Sequence, residues 1–160
     1  MIGLEICEEV WRLDTLTRNY ILECDMIMNS NSSHFGINRI FRRIDCIKSR
    51  MSGSPGAYMY TNTLGCDGGR LYFDGNNICV VNGEIQNMGK SCPLEDIVVD
   101  EVVVDISEIR HKRLDDVNFL REASLMKQEV PIVDIDFVIS DNVYLPVTPP
   151  IAGLLPPPSE

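Results

Sequence analysis

The stretch DMIMNSNSSHFGINRIFRRIDCIKSRM, residues 25–51, decides the fold of this chain. Its opening residues, 25–28, form a short apolar run that predicts a buried strand, and the polar cluster at 29–34 ends it. Apolar residues then recur at steps of three and four, which is the spacing of one face of an amphipathic helix. The residues on this face are Ile37, Ile40, Phe41, Ile44, Ile47 and Met51.

The ends and the second face of this helix follow from the same stretch. Ser32 or Ser33 can cap the start of the helix, and Gly53 with Pro55 marks its stop. The second face carries five of the chain's 14 basic residues, and its simplest interpretation is a solvated surface. These five residues are Arg39, Arg42, Arg43, Lys48 and Arg50.

Strands and helices alternate on both sides of this unit. A strand over 1–6 leads through an acidic turn into a short helix over 12–22. Asn82-Gly83 predicts a type I′ hairpin, because both central residues of that turn need a positive φ. The further predicted elements are strands at 57–61, 70–74, 78–81 and 84–86, a Val-rich strand at 97–106, and a helical pattern over 107–126. The alternation indicates an α/β (α+β) sandwich.

The last thirty residues differ from the rest of the chain. They hold seven of the nine prolines, and from Val130 onward no helical pattern is present. Such a segment is typical of a linker or an extended arm. We therefore divide the chain into a folded part, 1–128, and a Pro-rich linker, 129–160.

Composition excludes several functions. The chain has 160 residues, and 14 Lys and Arg against 24 Asp and Glu give a net charge of −10, which argues against nucleic-acid binding. No apolar run is long enough to span a bilayer, and the acidic N-terminus is unlike a signal peptide. The six cysteines form no C-x-x-C pair, so they predict no zinc site. Their even number is compatible with disulfides, but the length of the chain and the lack of a secretory signal favour reduced thiols. A cytoplasmic protein with reduced thiols is expected.

Cys7 is the first candidate for chemistry. It ends a predicted strand at a tight turn, where its sulfur would be accessible and the next amide could point at a developing oxyanion. The alternative is an inert core thiol, which is what most buried cysteines are. The neighbouring acids Glu5, Glu8 and Glu9 favour that alternative, because they disfavour a thiolate.

Two loops are further candidates. The polar cluster 29–34 leads into a helix whose free N–H groups and Arg39 could hold a carboxylate, although an ordinary cap followed by a solvated face explains it equally. His34 could pair with Cys7 or simply be polar surface. The glycine-rich stretch 62–75 fits neither common phosphate-binding motif, so turn chemistry explains it better.

Several of these segments, taken together, resemble one enzyme family. In order and spacing they are similar to the glutaminase domain of glutamine-dependent NAD synthetases, which belongs to the carbon–nitrogen hydrolase (nitrilase) superfamily. The resemblance covers about residues 2–126, and the Pro-rich tail resembles the linker toward the synthetase domain. The matching segments are Ile2–Trp11, Asn29–His34, Arg43–Asp45, Asn62, Gly65–Gly68, Arg70–Gly75 and Asn82-Gly83.

The resemblance implies a role for four residues within a nitrilase-type αββα sandwich. Cys7 would attack the side-chain amide of L-glutamine, and the backbone N–H of Glu8 would sit in the oxyanion hole. Ser33 and Arg39 match the positions that hold the α-amino and α-carboxylate groups, with help from the Glu8 side chain. The departures from the family pattern are Asn31 and Ser32 for Ser-Gly, Gly69 for an acid, and Leu4 for a small residue.

The resemblance also implies that parts of the enzyme lie outside this chain. The family's general base, a Glu, and its catalytic Lys precede the cysteine, and the synthetase domain that uses ATP and Mg follows the linker. We therefore expect a fragment that binds no cofactor or metal itself, is inactive alone, and belongs to a homo-oligomeric protein. The alternatives are a fragment of a stand-alone nitrilase-superfamily amidase, or a non-catalytic remnant that serves as an interaction module.

Overall fold

The predicted alternation of strands and helices is present in the computed structural model, which describes residues 1–12, 15–126, 130–136 and 146–151. A 3-10 turn, Cys7–Trp11, follows the first strand. The strands are β1 Ile2–Ile6, β2 Met26–Asn31, β3 Ala57–Asn62, β4 Leu64–Asp67, β5 Leu71–Asp74, β6 Ile78–Val81 and β7 Glu84–Met88. The helices are α1 Thr15–Glu23, α2 Arg39–Arg50, α3 Ile106–Asp115 and α4 Val117–Leu125.

Five of the strands form a mixed sheet in the order β1-β2-β3-β6-β7, and β4 pairs with β5 in a separate ribbon. Strands β1, β2 and β3 are parallel, with Ile6 opposite Ser30 and Asn31 opposite Asn62. Because the carboxyl ends of parallel strands meet at one edge of a sheet, the segments after β1, β2 and β3 converge there. The Asn82-Gly83 hairpin is confirmed, since both residues have positive φ and lie between β6 and β7.

The two faces of the parallel part of the sheet differ in exposure. One face carries Ile27 and Tyr58 and forms the core with Ile44 and Ile47 of α2. The opposite face is apolar but open at β1 and β2, where Leu4 is 73% and Ile6 is 70% exposed. Exposed apolar surface of this kind is typical of an interface with another layer of structure.

The start and the basic face of α2 were predicted wrongly. The helix begins at Arg39 after Asn38, which has φ +60°, and neither Ser32 nor Ser33 caps it. The backbone N–H of Ser33 is instead donated to the Asn62 side chain. Arg43 and Arg50 are not solvated, because Arg43 is 0% exposed against Asp74 and Arg50 is 6% exposed against Glu5.

The Val-rich segment was also predicted wrongly. Residues 97–105 form no strand, and Val98, Val99 and Val102 line a cavity of about 390 Å³ over β2, β3 and β6. The backbone N–H of Val103 is donated to Oγ1 of Thr148 rather than to a neighbouring strand. Strand propensity depends on packing against a neighbouring strand, so a Val-rich run that pairs with no strand does not form one.

The remaining predictions agree with the structure in outline. The helical pattern over 107–126 is two helices, because the carboxylates of Asp105 and Asp116 each accept two backbone N–H groups and start a new helix. The ribbon strand β4 was missed. Residues 130–136 and 146–151 contain no helix or strand, whereas prolines 156–158 and residues 13–14 of the first predicted helix lie outside the described residues. The described residues also include no helix long and apolar enough to cross a membrane.

Candidate active site

Cys7 lies where β1 ends, in a backbone conformation that requires support. Its φ is +52°, and a left-handed conformation costs a residue other than glycine about 1–3 kcal/mol. The buried side chain of Asn31, at the end of the neighbouring strand, donates its Nδ2 to the Cys7 carbonyl oxygen over 2.6 Å. The same side chain places its Oδ1 4.0 Å from the Cys7 sulfur. The thiol is therefore half-buried and held at the sheet edge by the next strand.

Helix α2 anchors the turn that follows Cys7. The carbonyl oxygen of buried Val10 accepts hydrogen bonds from Arg50 Nε and Cys46 Sγ, both at 2.9 Å. Arg50 also lies 3.5 Å from the Glu5 carboxylate, two residues before Cys7. Arg50, which the sequence had placed on the solvated face of α2, thus holds both sides of the Cys7 turn.

Glu5 is a buried carboxyl group under the site. Burial raises the pKa of Glu5, while the hydrogen bond from Tyr58 and the charge of Arg50 oppose this rise. The Tyr58 hydroxyl donates to Glu5 Oε2 over 2.6 Å. Burial, followed by the nearby carboxylate, raises the pKa of Tyr58 far above its ordinary value, so this hydroxyl keeps its proton.

We expect the change Tyr58→Phe to lower the free energy of unfolding, and to lower it more at high pH. A buried hydrogen bond to a charged group contributes about 1.5–3 kcal/mol. The raised pKa of Glu5 means that its favourable contribution is present below pH 4.5, its ordinary pKa, and is lost as the pH rises through the folded value. The hydrogen bond from Tyr58 stabilises the ionised form of Glu5 and so opposes that loss. Removing this bond should therefore lower the free energy of unfolding little at pH 4 and most at pH 8.

Denaturant unfolding at the two pH values measures this effect. Tyr60→Phe is the matched control, because the Tyr60 hydroxyl donates to the neutral amide of Asn62 over 3.3 Å. Its cost should hardly change with pH. A cost for Tyr58→Phe that is equal at pH 4 and pH 8 would show that this hydroxyl does not stabilise the ionised form of Glu5.

Ser33 lies in the loop after β2 and is only 7% exposed. Its backbone N–H is donated to Asn62 Oδ1 at 2.8 Å, and its carbonyl oxygen accepts from Asn62 Nδ2 at 2.9 Å. Its hydroxyl oxygen is buried and makes no hydrogen bond of ordinary geometry to the described residues, although it lies close enough to the Tyr60 hydroxyl to oppose the rise in the pKa of Tyr60. A buried hydroxyl without a good hydrogen bond lowers the stability of the fold, and a bound molecule could supply that hydrogen bond.

Arg39 and Glu8 lie closer to solvent. Arg39 is the first residue of α2, and its guanidinium is hydrogen-bonded to the His34 ring. With Trp11, at the end of the Cys7 turn, it lines a recess of about 540 Å³. Glu8 is exposed on that turn. The structure thus brings Arg39 beside the Cys7 turn. Ser33 is connected to that turn less directly: it is hydrogen-bonded to Asn62, which lies opposite Asn31 in the sheet, and Asn31 contacts Cys7.

Sequence reasoning gave no role to a buried network beside Ser33. Arg43 donates to Asp74 over 3.1 and 3.4 Å, and Asp74 accepts from Asn62 over 3.0 Å. The Arg43 guanidinium also lies over the Tyr60 ring, 5.3 Å from its centre. Burial raises the pKa of Tyr60 to about 12. The only signal in the sequence was that Arg43, Asn62 and Asp74 all belong to segments that match the family.

Comparison with known proteins shows which family the chain is similar to. The chain is 31% identical over 153 residues to the glutamine-dependent NAD(+) synthetase of Macaca fascicularis, covering 94% of this chain and 22% of the relative. The Drosophila melanogaster synthetase is 31% identical over 165 residues, and the match covers 99% of this chain and 20% of that synthetase. The putative synthetase of Schizosaccharomyces pombe is 27% identical over 166 residues, and the match covers 100% of this chain and 23% of that synthetase.

The homologues of this chain are glutamine-dependent NAD synthetases. The chain spans about a fifth of the length of these relatives, so it is similar to one segment of a synthetase. No protein-family model matches the sequence. The family named from the sequence is confirmed, and the stand-alone amidase alternative is not favoured.

Solved structures confirm the fold. The synthetase of Acinetobacter baumannii, solved in complex with adenosine diphosphate, is 26% identical and covers 57% of this chain and 18% of that protein, with a TM-score of 0.53. A CN-hydrolase superfamily protein from Xanthomonas campestris is 14% identical and covers 83% of this chain and 48% of that protein, with a TM-score of 0.62. The synthetase segment therefore has a carbon–nitrogen hydrolase fold.

Proposed function

We propose that this chain is the cysteine-bearing half of a glutaminase that releases ammonia from L-glutamine. The observation that carries the proposal is the position of Cys7. It lies on a strained turn at the carboxyl ends of the three parallel strands β1, β2 and β3. The last residue of that turn, Trp11, lines a recess together with Arg39, and the chain is a homologue of the synthetases. A nucleophile on a sharp turn after a strand has an accessible side chain and a neighbouring backbone N–H.

The proposed reaction proceeds through a thioester. The Cys7 sulfur attacks the side-chain carbonyl carbon of glutamine, and the Glu8 backbone N–H stabilises the negative charge that forms on the oxygen. The carbon–sulfur bond stays, the carbon–nitrogen bond breaks, and ammonia leaves with the proton of the thiol. Water then cleaves the thioester to glutamate and restores the thiol. A general base and a cation must assist, and the family resemblance places both in a part of the domain that precedes Cys7.

The amino-acid head of glutamine would be held by Arg39, which lines the recess, together with Ser33 and Glu8. The Arg39 guanidinium can form a charge-assisted, bidentate pair with the α-carboxylate. The hydroxyl of Ser33 and the carboxylate of Glu8 suit the α-ammonium group. Two such contacts would also orient the amide toward Cys7, and orientation is a large part of enzymatic rate enhancement.

The complete protein would use this ammonia to convert deamido-NAD to NAD. ATP and Mg would act in a separate synthetase domain after the linker 129–160, with 1–128 belonging to the glutaminase. The described residues of this chain include no group of three or more His, Cys, Asp or Glu that could hold a metal ion, so no step here is assigned to Mg. A cytoplasmic homo-oligomer would be consistent with the resemblance and with six free thiols.

Labelling of the six cysteines tests the proposal. The diazoketone analogue of L-glutamine should modify Cys7 in preference to the other five thiols, because Ser33 and Arg39 would deliver its amino-acid head to that sulfur. Peptide mass spectrometry locates the adduct. Free L-glutamine should protect Cys7, whereas D-glutamine is the matched control and should not.

Adducts spread over the exposed thiols Cys66 and Cys92, with no protection by L-glutamine, would contradict a glutamine site. That result would favour a non-catalytic interaction module. Modification of Cys7 by simple alkylating agents alone would show an accessible thiol and not a glutaminase site.

A further inference from the structure

We propose that Asn62, fixed by the buried Arg43–Asp74 pair, is the positioning residue that sets the Ser33 hydroxyl for the amino-acid head of the substrate. This inference rests on the proposed glutamine site and deepens it. The three residues come from three separate segments, α2 and the ends of β3 and β5, and meet only in the folded chain.

The Asn62 amide is oriented by four partners. Its oxygen accepts from the Ser33 N–H at 2.8 Å and the Tyr60 hydroxyl at 3.3 Å. Its nitrogen donates to the Ser33 carbonyl at 2.9 Å and to Asp74 Oδ1 at 3.0 Å. Turning the amide over would place its donor against two donors and its acceptor against two acceptors. The network therefore allows a single orientation of the Asn62 side chain.

The Arg43–Asp74 pair fixes the orientation of Asn62. Arg43 is 0% and Asp74 2% exposed, and Asp74 also accepts from the Ser91 hydroxyl at 3.3 Å. Burying an ion pair gains little net stability, because the loss of hydration offsets the attraction. A buried pair whose carboxylate also holds an amide in one orientation contributes geometric specificity instead.

The consequence falls on Ser33. Asn62 is hydrogen-bonded to the peptide groups on both sides of the Ser33 α-carbon. These two hydrogen bonds restrain the backbone of Ser33. The Ser33 hydroxyl is buried near the Tyr60 hydroxyl, and it makes no hydrogen bond of ordinary geometry to the described residues. A donor or acceptor that is fixed before binding loses little entropy when a ligand arrives.

The experiment compares two electrophiles on Cys7 of the 160-residue chain. The diazoketone analogue of L-glutamine carries the amino-acid head, whereas iodoacetamide does not. Asn62→Ala should lower the ratio of the two labelling rates by about tenfold or more, because delivery of the head is lost while the thiol itself is unchanged. Asp74→Asn keeps the shape of the side chain but removes the charge that holds Arg43, and should lower the ratio about threefold.

Ser32→Ala is the matched control. Ser32 is next to Ser33 but exposed, and its hydroxyl is hydrogen-bonded to Thr63 instead, so the ratio should stay at the wild-type value. Thermal melting reports whether each variant is folded.

Three results would overturn the inference. The first is an unchanged ratio of labelling rates in folded Asn62→Ala and Asp74→Asn. The second is an equal fall in both labelling rates. The third is failure of both variants to fold, which would show that the network has a purely structural role. A wild-type chain without any preference for the glutamine analogue would instead show that this chain does not bind the amino-acid head of glutamine by itself, and the inference would fail with the binding site on which it rests.

Discussion

Replacing Cys7 with alanine is expected to abolish the release of ammonia from glutamine in a complete synthetase. The test protein is a chimera in which this chain replaces the corresponding segment of the Drosophila melanogaster relative, to which it is 31% identical. Alanine has no nucleophile, and loss of a catalytic nucleophile lowers turnover by about 10³-fold or more. NAD synthesis from glutamine should stop, whereas synthesis from added ammonium should continue, because the two reactions would use separate sites.

Cys66→Ala is the matched control for this substitution. Cys66 is an exposed thiol in β4 of the separate two-stranded ribbon, and its loss should change neither activity. If Cys7→Ala retained glutamine-dependent synthesis, Cys7 would not be the nucleophile. Loss of ammonium-dependent synthesis as well would indicate that the substitution damages the fold and not one reaction.

The fold could be predicted from the sequence wherever local spacing decides burial. The apolar positions of α2 identified Ile44 and Ile47 as core residues, and Asn82-Gly83 identified the hairpin. The wrong predictions for α2 have a common cause, because the residues that contact it or its predicted cap are distant in sequence. Arg43 and Arg50 are buried because Asp74 and Glu5 meet them, and no window of neighbouring residues contains that information. Ser33 does not cap α2 because Asn62 binds its backbone.

The site could be predicted only in part for the same reason. The family resemblance selected Cys7, Ser33 and Arg39 by position, and the structure adds how each is held. Asn31 appeared in the sequence only as a departure from the family pattern, yet its side chain supports the strained Cys7 backbone. A contact between the ends of two parallel strands becomes visible only when the sheet register is known.

The chain alone is expected to show no measurable glutaminase turnover, although its Cys7 should still be labelled. The resemblance places the family's general base, a Glu, and its catalytic Lys in a part of the domain other than the segment that these residues match. Each general base or electrostatic partner contributes about 10²–10⁴-fold to the rate, and the absence of two makes the deficit very large. Ammonia release, measured for the chain and for the chimera, gives the comparison.

The open face of the sheet provides an independent check on this last prediction. If the rest of the sandwich normally covers Leu4, Ile6 and the neighbouring apolar residues, the isolated chain should bind a hydrophobic dye strongly and the chimera should bind it weakly. Leu4→Ser with Ile6→Ser should lower dye binding by the chain, because both side chains lie on that face. Glutamine turnover by the isolated chain at a rate near that of the chimera would contradict the division of the active site between two halves, since one half would then carry every catalytic group.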